Sequence, residues 1–332
     1  MPLRAASSFV ALDDPLTEPQ RARIRWLRAE IDDLARLPLP GAGATRVRWQ
    51  ALVDVSRADL AAARLVEGHV DALAILHELG AARIIGPGDA WGVWAAQPDL
   101  VTATPRAGGW HLHGTKGWCS GAIGLDRALV TARAPDGPRL FVVAPHELEL
   151  EPGSWEPIGM AASASHTMRF DLTVTEGAAV GAPNAYVGRS GFWHGGAGVA
   201  ACWFGGAIGV LEALRARVAA SDDPLDAAAF GRCRARLDAA GALLSQSADA
   251  IDAAPDDVLG ARERAMSVRL AVEEAARDVL HTTVTALGAS PLARDDDHSR
   301  RVADLQVYLR QLNAGHAAQE YGRAYASKSF SW

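Results

Sequence analysis

The stretch GGWHLHGTKGWCSG, Gly108 to Gly121, decides how the rest of the chain is to be read. Gly108 and Gly109 suit a tight turn, and Trp110, Leu112 and Gly114 then alternate with His111 and His113 as a half-buried strand requires. Trp118-Cys119-Ser120 closes the run. A ring and a hydroxyl two residues apart point the same way on a strand, so Trp118 and Ser120 together can hold a flat heterocycle such as an isoalloxazine: the indole stacks on the ring and the hydroxyl reaches a ring nitrogen. The same pattern also suits a Trp that plugs the sheet and a Ser that wets its rim.

Composition sets the limits around this stretch. The chain has 332 residues, 49% of them hydrophobic and 22% charged, enough for a core spread over two or three units. The net charge is −6 and no basic tract gathers, which argues against a nucleic-acid surface and leaves small-molecule or protein partners. Cys119, Cys202 and Cys233 are far apart and lack metal-ligand spacing, so a reducing cytoplasm and no metal site are expected. Met1 to Val10 has no leader pattern and no run of about 18 uninterrupted apolar residues occurs, so no membrane association is expected.

Periodicity divides the chain in three. Glu18 to Leu37 carries Ile24, Leu27, Ile31 and Leu34 at helical spacing after Thr17 and Pro19. A Pro/Gly-rich break follows, then Trp49 to Leu79 repeats the pattern in two segments that meet near Ser56 or at Glu67-Gly68, completing a helical domain over residues 1–88. His69 within it is a candidate facing a ligand. Residues 89–185 alternate as short strands, a β-domain that includes Gly92 to Ala96. Residues 186–332 form a four-helix bundle. Its first helix, from about Gly191 to Ala220, carries six glycines beyond Gly191 that close packing must offset, at up to about 1 kcal/mol each. Asp223 and Pro224 start a second helix, Val258 to Leu287 spans a third that Gly288 ends, and Asp297 to Ala324 a fourth.

The order of GTKGWCSG, the short strand Leu125 to Ala132, W-x-x-x-G-M at Trp155 to Met160, the Ser165-His166-Thr167-Met168-Arg169-Phe170 run and a helical tail resembles the acyl-CoA dehydrogenase superfamily of flavoproteins, over about residues 50–322. The resemblance implies an α+β fold with an N-terminal helical domain, a middle β-domain and a C-terminal four-helix bundle. It also implies FAD between the β-domain and the bundle, with the adenosine half reaching a neighbouring subunit of a homodimer or homotetramer. By matching position, Trp118 packs on the flavin and Ser120 lies beside its N5. Ala96 stands where the family has a Thr whose backbone touches the ring, Phe230 remains from an Arg-x-Gln-Phe-Gly turn, and Gly288 remains from a Gln-x-x-Gly-Gly that touches the diphosphate of the partner.

The family's proton-abstracting Glu is missing. Counting from Asp304, its position falls near Leu312-Asn313, and the alternative position on the first bundle helix, Val199 to Gly205, is apolar. The nearest titratable side chains in sequence are His316 and His194, which stand as the candidate catalytic residues. Three functions follow. The first choice is an FAD-dependent dehydrogenase acting on an acyl thioester or related small substrate. The second is a flavin monooxygenase or oxidase, the branch of the superfamily that has a late His and a Ser or Thr beside the flavin. The third is a non-catalytic binding protein.

Overall fold

The computed structural model describes residues 16–97 and 100–328; Met1 to Val10, Pro98 and Asp99 lie outside them. The helix expected from Glu18 to Leu37 is two: α1 (Glu18–Ala29), whose start is closed by the Thr17 N–H donating to Gln20 Oε1 at 2.9 Å, and the single turn α2 (Ile31–Leu34). Next come α3 (Thr45–Ala58) and α4 (Leu60–Glu78), which meet at Asp59, three residues after Ser56 and not at Glu67-Gly68. The Asp59 carboxylate accepts from the Ala62 N–H at 2.9 Å, so a helix cap sets the junction.

Eight strands among the described residues make one mixed sheet: β1 (Trp91–Trp94), β2 (Val101–Arg106), β3 (Gly109–Cys119), β4 (Arg127–Ala134), β5 (Gly137–Val143), β6 (Glu149–Leu150), β7 (His166–Thr175) and β8 (Ala179–Val180). Their order is β6-β7-β3-β2-β4-β5-β8, with β1 lying parallel on β4. In β3 the expected alternation holds: Trp110 and Leu112 are buried while His113 is exposed. The register of β3 on β7 slips between Lys116 and Cys119, a bulge at which Trp118 takes a left-handed φ of +61°. That backbone is uncommon for a bulky residue and turns the end of the strand away from the sheet.

The remaining helices are α5 (Ala185–Gly188), α6 (Ser190–Ala220), α7 (Pro224–Ala253), α8 (Val258–Leu287), α9 (Ala289–Arg294), α10 (Asp296–Leu309) and α11 (Ala314–Tyr325). The fourth bundle helix is therefore interrupted. Asn313 caps α11 through the His316 N–H at 3.1 Å, which a helix running straight through would forbid. α6 is long and apolar enough to cross a membrane, but 78% of its apolar window is buried inside the protein, against α8, α3 and α7. Its glycines allow this: a Cβ at Gly205 would lie 2.3 Å from the Val53 carbonyl oxygen and one at Gly209 2.6 Å from that of Arg57. One continuous apolar core joins Leu52 and Val66, Phe141 and Phe170 of the sheet, and Trp203 and Val268 of the bundle.

Candidate active site

A cleft of about 1020 Å³ opens between the sheet and the helices. Its strand side carries Val93, Ala96, Trp118, Ser120 and Thr131, and its helical side draws on α4, α6, α8 and α10. Lys116 shapes the strand side. Its buried ammonium donates to the carbonyls of Ala96 at 2.6 Å and Gln97 at 3.2 Å, fixing the chain after β1 against β3.

Trp118 is 55% exposed and packs edge-to-face on Trp155, with ring centroids 5.4 Å apart. Trp155 is held in turn by its indole N–H on the Met160 carbonyl at 3.2 Å. That loop is docked on α10: the Met160 N–H donates to Asp304 at 2.5 Å, and Gly159 lies so close that a Cβ there would sit 2.2 Å from the Ala303 oxygen. The W-x-x-x-G-M pattern is thus a clamp between the sheet and the bundle. Burial raises the Asp304 carboxyl to about 6, opposed by the Met160 N–H.

Ser120 belongs to a chain of three buried hydroxyls. Ser120 Oγ lies 2.8 Å from Ser165 Oγ, Ser165 Oγ lies 2.8 Å from Ser163 Oγ, and Ser163 donates to the Met160 carbonyl at 2.7 Å. A carbonyl cannot donate, so the one proton of Ser163 is committed there. All three contacts are then satisfied in a single way: Ser165 donates to Ser163 and Ser120 donates to Ser165. Ser120 is left with lone pairs only for whatever occupies the cleft.

The helical side is strongly charged. Glu67 on α4 is 6% exposed, pairs with Arg64 one turn away and receives the Tyr308 hydroxyl at 3.4 Å. Burial pushes its carboxyl up to about 7; Arg64 opposes the shift and the carboxylate of Asp71, one turn on, adds to it. Asp71 itself pairs with buried Arg48 at 3.0 Å.

The candidates drawn from sequence divide. Trp118, Ser120, Ala96 and His194 all line the cleft. His194 is 3% exposed and its Nε2 lies 2.9 Å from the Pro255 carbonyl, which fixes that nitrogen as the donor and leaves Nδ1 a bare buried lone pair; burial lowers its pKa. His316 is not brought there. It sits in the first turn of α11 with its side chain 64% exposed, 3.5 Å from Glu320, because the break at Asn313 carries it away from the cleft. Half-buried Phe230 on α7 and exposed Gly288, the cap of α8, also lie outside the cleft of their own chain. His69 is structural: its Nδ1 accepts the Trp91 N–H at 3.2 Å, joining α4 to β1. Sequence reasoning passed over Glu67 and Arg64, although their i, i+3 spacing beside an apolar run was visible, and over the Ser163-x-Ser165 pair. Among the described residues no group of three or more His, Cys, Asp or Glu side chains could hold a metal.

No protein-family model and no curated protein matches the chain. Solved structures do. One is TdsC from Paenibacillus sp. A11-2 in complex with FMN and indole, at 19% identity and a TM-score of 0.75 over 96% of this chain and 97% of that one. The chain has the acyl-CoA dehydrogenase-like fold. XiaF from Streptomyces sp., in complex with FADH2 and glycerol, shares it at 19% identity and a TM-score of 0.75 over 95% of this chain and 92% of that one. The 3-HSA hydroxylase from Rhodococcus sp. RHA1 shares it at 16% identity and a TM-score of 0.74 over 95% and 97%. The acyl-CoA dehydrogenase-like fold thus accounts for the whole course from α1 to α11.

Proposed function

We propose that this chain is a flavin-dependent monooxygenase acting on a small molecule in the cleft. The observation that carries this is the polarity of Ser120. A hydroxyl that only accepts suits a ring N–H donor, which a reduced isoalloxazine has where the oxidised ring has a bare nitrogen. The wall beside it also fits a flat ring, since Trp118 offers a half-exposed indole and Val93 and Ala96 add apolar surface. Trp118, Ser120 and the backbone at Ala96 would hold the flavin. The bound group, once reduced, supplies two electrons, so that one atom of O2 enters the substrate and the other leaves as water. TdsC is described as a dibenzothiophene monooxygenase and HsaA from M. tuberculosis as a monooxygenase, which supports the choice by likeness of fold.

The protein's own residues have three tasks. The serine chain keeps Ser120 an acceptor, the Trp155–Met160 clamp excludes water from one side of the ring site, and Glu67 holds or releases a proton near neutral pH. Stopped-flow mixing of flavin-loaded, pre-reduced protein with O2 tests this. Ser120→Ala should release more hydrogen peroxide than the parent; equal release from both would remove Ser120 from the mechanism.

One observation favours the dehydrogenase as a second reading: Glu67 is a carboxylate in the cleft whose raised pKa suits a base near pH 7. Butyryl-CoA added anaerobically to the oxidised, flavin-loaded protein should leave the colour unchanged if the monooxygenase reading holds. Bleaching by butyryl-CoA that is lost in Glu67→Gln would establish the dehydrogenase.

A further inference from the structure

Five arginines line the cleft. Four of them meet a carboxylate: Arg64 with Glu67, Arg139 with Asp136, Arg189 with Glu78 and Arg310 with Glu273. The fifth, Arg269 on α8, has no ion pair among the described residues. Its Nε is buried without a hydrogen-bond partner. Its guanidinium lies over the Trp203 ring, 5.3 Å from the centroid, and Gly196 on α6 leaves room for it, since a Cβ there would come within 3.1 Å of Nη1.

A guanidinium stays protonated in a protein, so burial cannot be relieved by neutralising it. Burial does lower the pKa of Arg269, with Glu67 and Tyr308 acting against the shift. Glu67 is a poor counter-charge, being engaged by Arg64 and carrying less than a full charge near neutral pH. A guanidinium whose Nε is buried with no partner is costly, and a residue that breaks this rule inside a cleft marks where a ligand completes the site.

We propose that Arg269 receives the carboxylate of the substrate, which is therefore a small organic acid. Trp203 and Gly196 hold the guanidinium plane in place, so two parallel N–H donors can meet one carboxylate. This rests on the monooxygenase reading for the identity of the cleft as the reaction site. An anionic group could also come from a flavin phosphate. The substrate is favoured because Arg269 belongs to the helical side with Glu67 and Tyr308, whereas the ring-binding Trp118 and Ser120 belong to the strand side.

Calorimetric titration of the purified protein with benzoate, phenylacetate and hexanoate, each beside its neutral amide, tests the proposal. At least one carboxylate should bind about tenfold to a hundredfold more tightly than its amide, and Arg269→Met should abolish that preference while leaving amide binding unchanged. Equal binding of every acid and its amide by the parent, or an unchanged preference in Arg269→Met, would overturn it. Should Arg269→Met fail to fold, Gly196→Ala displaces the guanidinium and should weaken the acid selectively; the comparison of acid with amide in the parent stands in either case. Titrations with FMN and riboflavin separate the two sources. Loss of FMN but not riboflavin affinity in Arg269→Met would assign the guanidinium to the flavin phosphate and overturn the substrate assignment. A preference for acids in a parent that binds neither flavin would sink the flavin reading and leave the carboxylate pocket standing.

Discussion

At Trp118 the backbone is left-handed, the ring is half-exposed and Trp155 supports one edge. A bulky residue held in that conformation is strained by about 1–3 kcal/mol, and such strain persists where a site over-determines it. Trp118→Ala removes the stacking face, worth on the order of 1 kcal/mol beyond buried area, so flavin affinity by fluorescence quenching should fall about fivefold or more with the circular dichroism spectrum unchanged. Affinity equal to the parent's would show that the ring does not touch flavin. Glu67 gives a second residue-scale prediction. Its carboxyl is raised by burial from 4.5 to about 7, so between these values the folded state binds more protons than the unfolded state, and stability falls as pH rises through that window. Asp304, raised to about 6, acts in the same direction, whereas His69, lowered to about 4 by burial, makes stability rise with pH. Urea denaturation of Glu67→Gln should therefore show a weaker loss of stability from pH 5 to 8 than the parent; parallel curves would mean that Glu67 is ionised throughout. That Trp118 and Ser120 share one wall of the cleft was legible because ring and hydroxyl sit in one short motif. Glu67, Arg269 and Ser165 were not: local partners such as Arg64 and Ser163 were visible, but Tyr308 on Glu67, Trp203 under Arg269 and Ser120 on Ser165 come from distant parts of the chain.

Among elements, α6 shows most clearly what sequence conveys. Its glycine content predicts a close helix contact, and the structure identifies α3 as the partner. Gly205→Ala drives a Cβ into the Val53 carbonyl and the Ser56 side chain and should destabilise by about 1–3 kcal/mol. Gly231, inside α7, has open space where a methyl group would stand, with nothing within 4 Å, so Gly231→Ala should stabilise by up to about 1 kcal/mol. Opposite signs in the denaturation midpoints are the expected result, and equal shifts would refute the packing account. The interruption between α10 and α11 was hidden from periodicity, since apolar spacing continues across it. The capping Asn313 and the following Gly315 are the local signal of the break, which leaves the His316 side chain exposed on α11.

At the scale of the molecule, Phe230 and Gly288 stand outside the cleft of their own chain. If they touch cofactor they do so in a neighbouring subunit, which makes assembly a prediction. Light scattering at micromolar concentration should report a dimer or tetramer, and Phe230→Ala should weaken flavin binding without altering the cleft. A monomer of 35.0 kDa would contradict both statements. The three-part order of helices, strands and helices was readable from the change of period at either end of the sheet. The joining of all three parts by one core was not, because burial shared between segments leaves no periodic mark.

If Ser120 accepts from the ring, the cleft should discriminate between the redox states of a flavin. Anaerobic titration with FMN and FAD, each in both redox states, measures this directly. The reduced form of the flavin that binds should be held at least about tenfold more tightly than the oxidised form, with the gap narrowed in Ser165→Ala, where the Ser120 proton is freed. Equal affinity for the two states, tighter binding of the oxidised flavin, or no binding of either would contradict it.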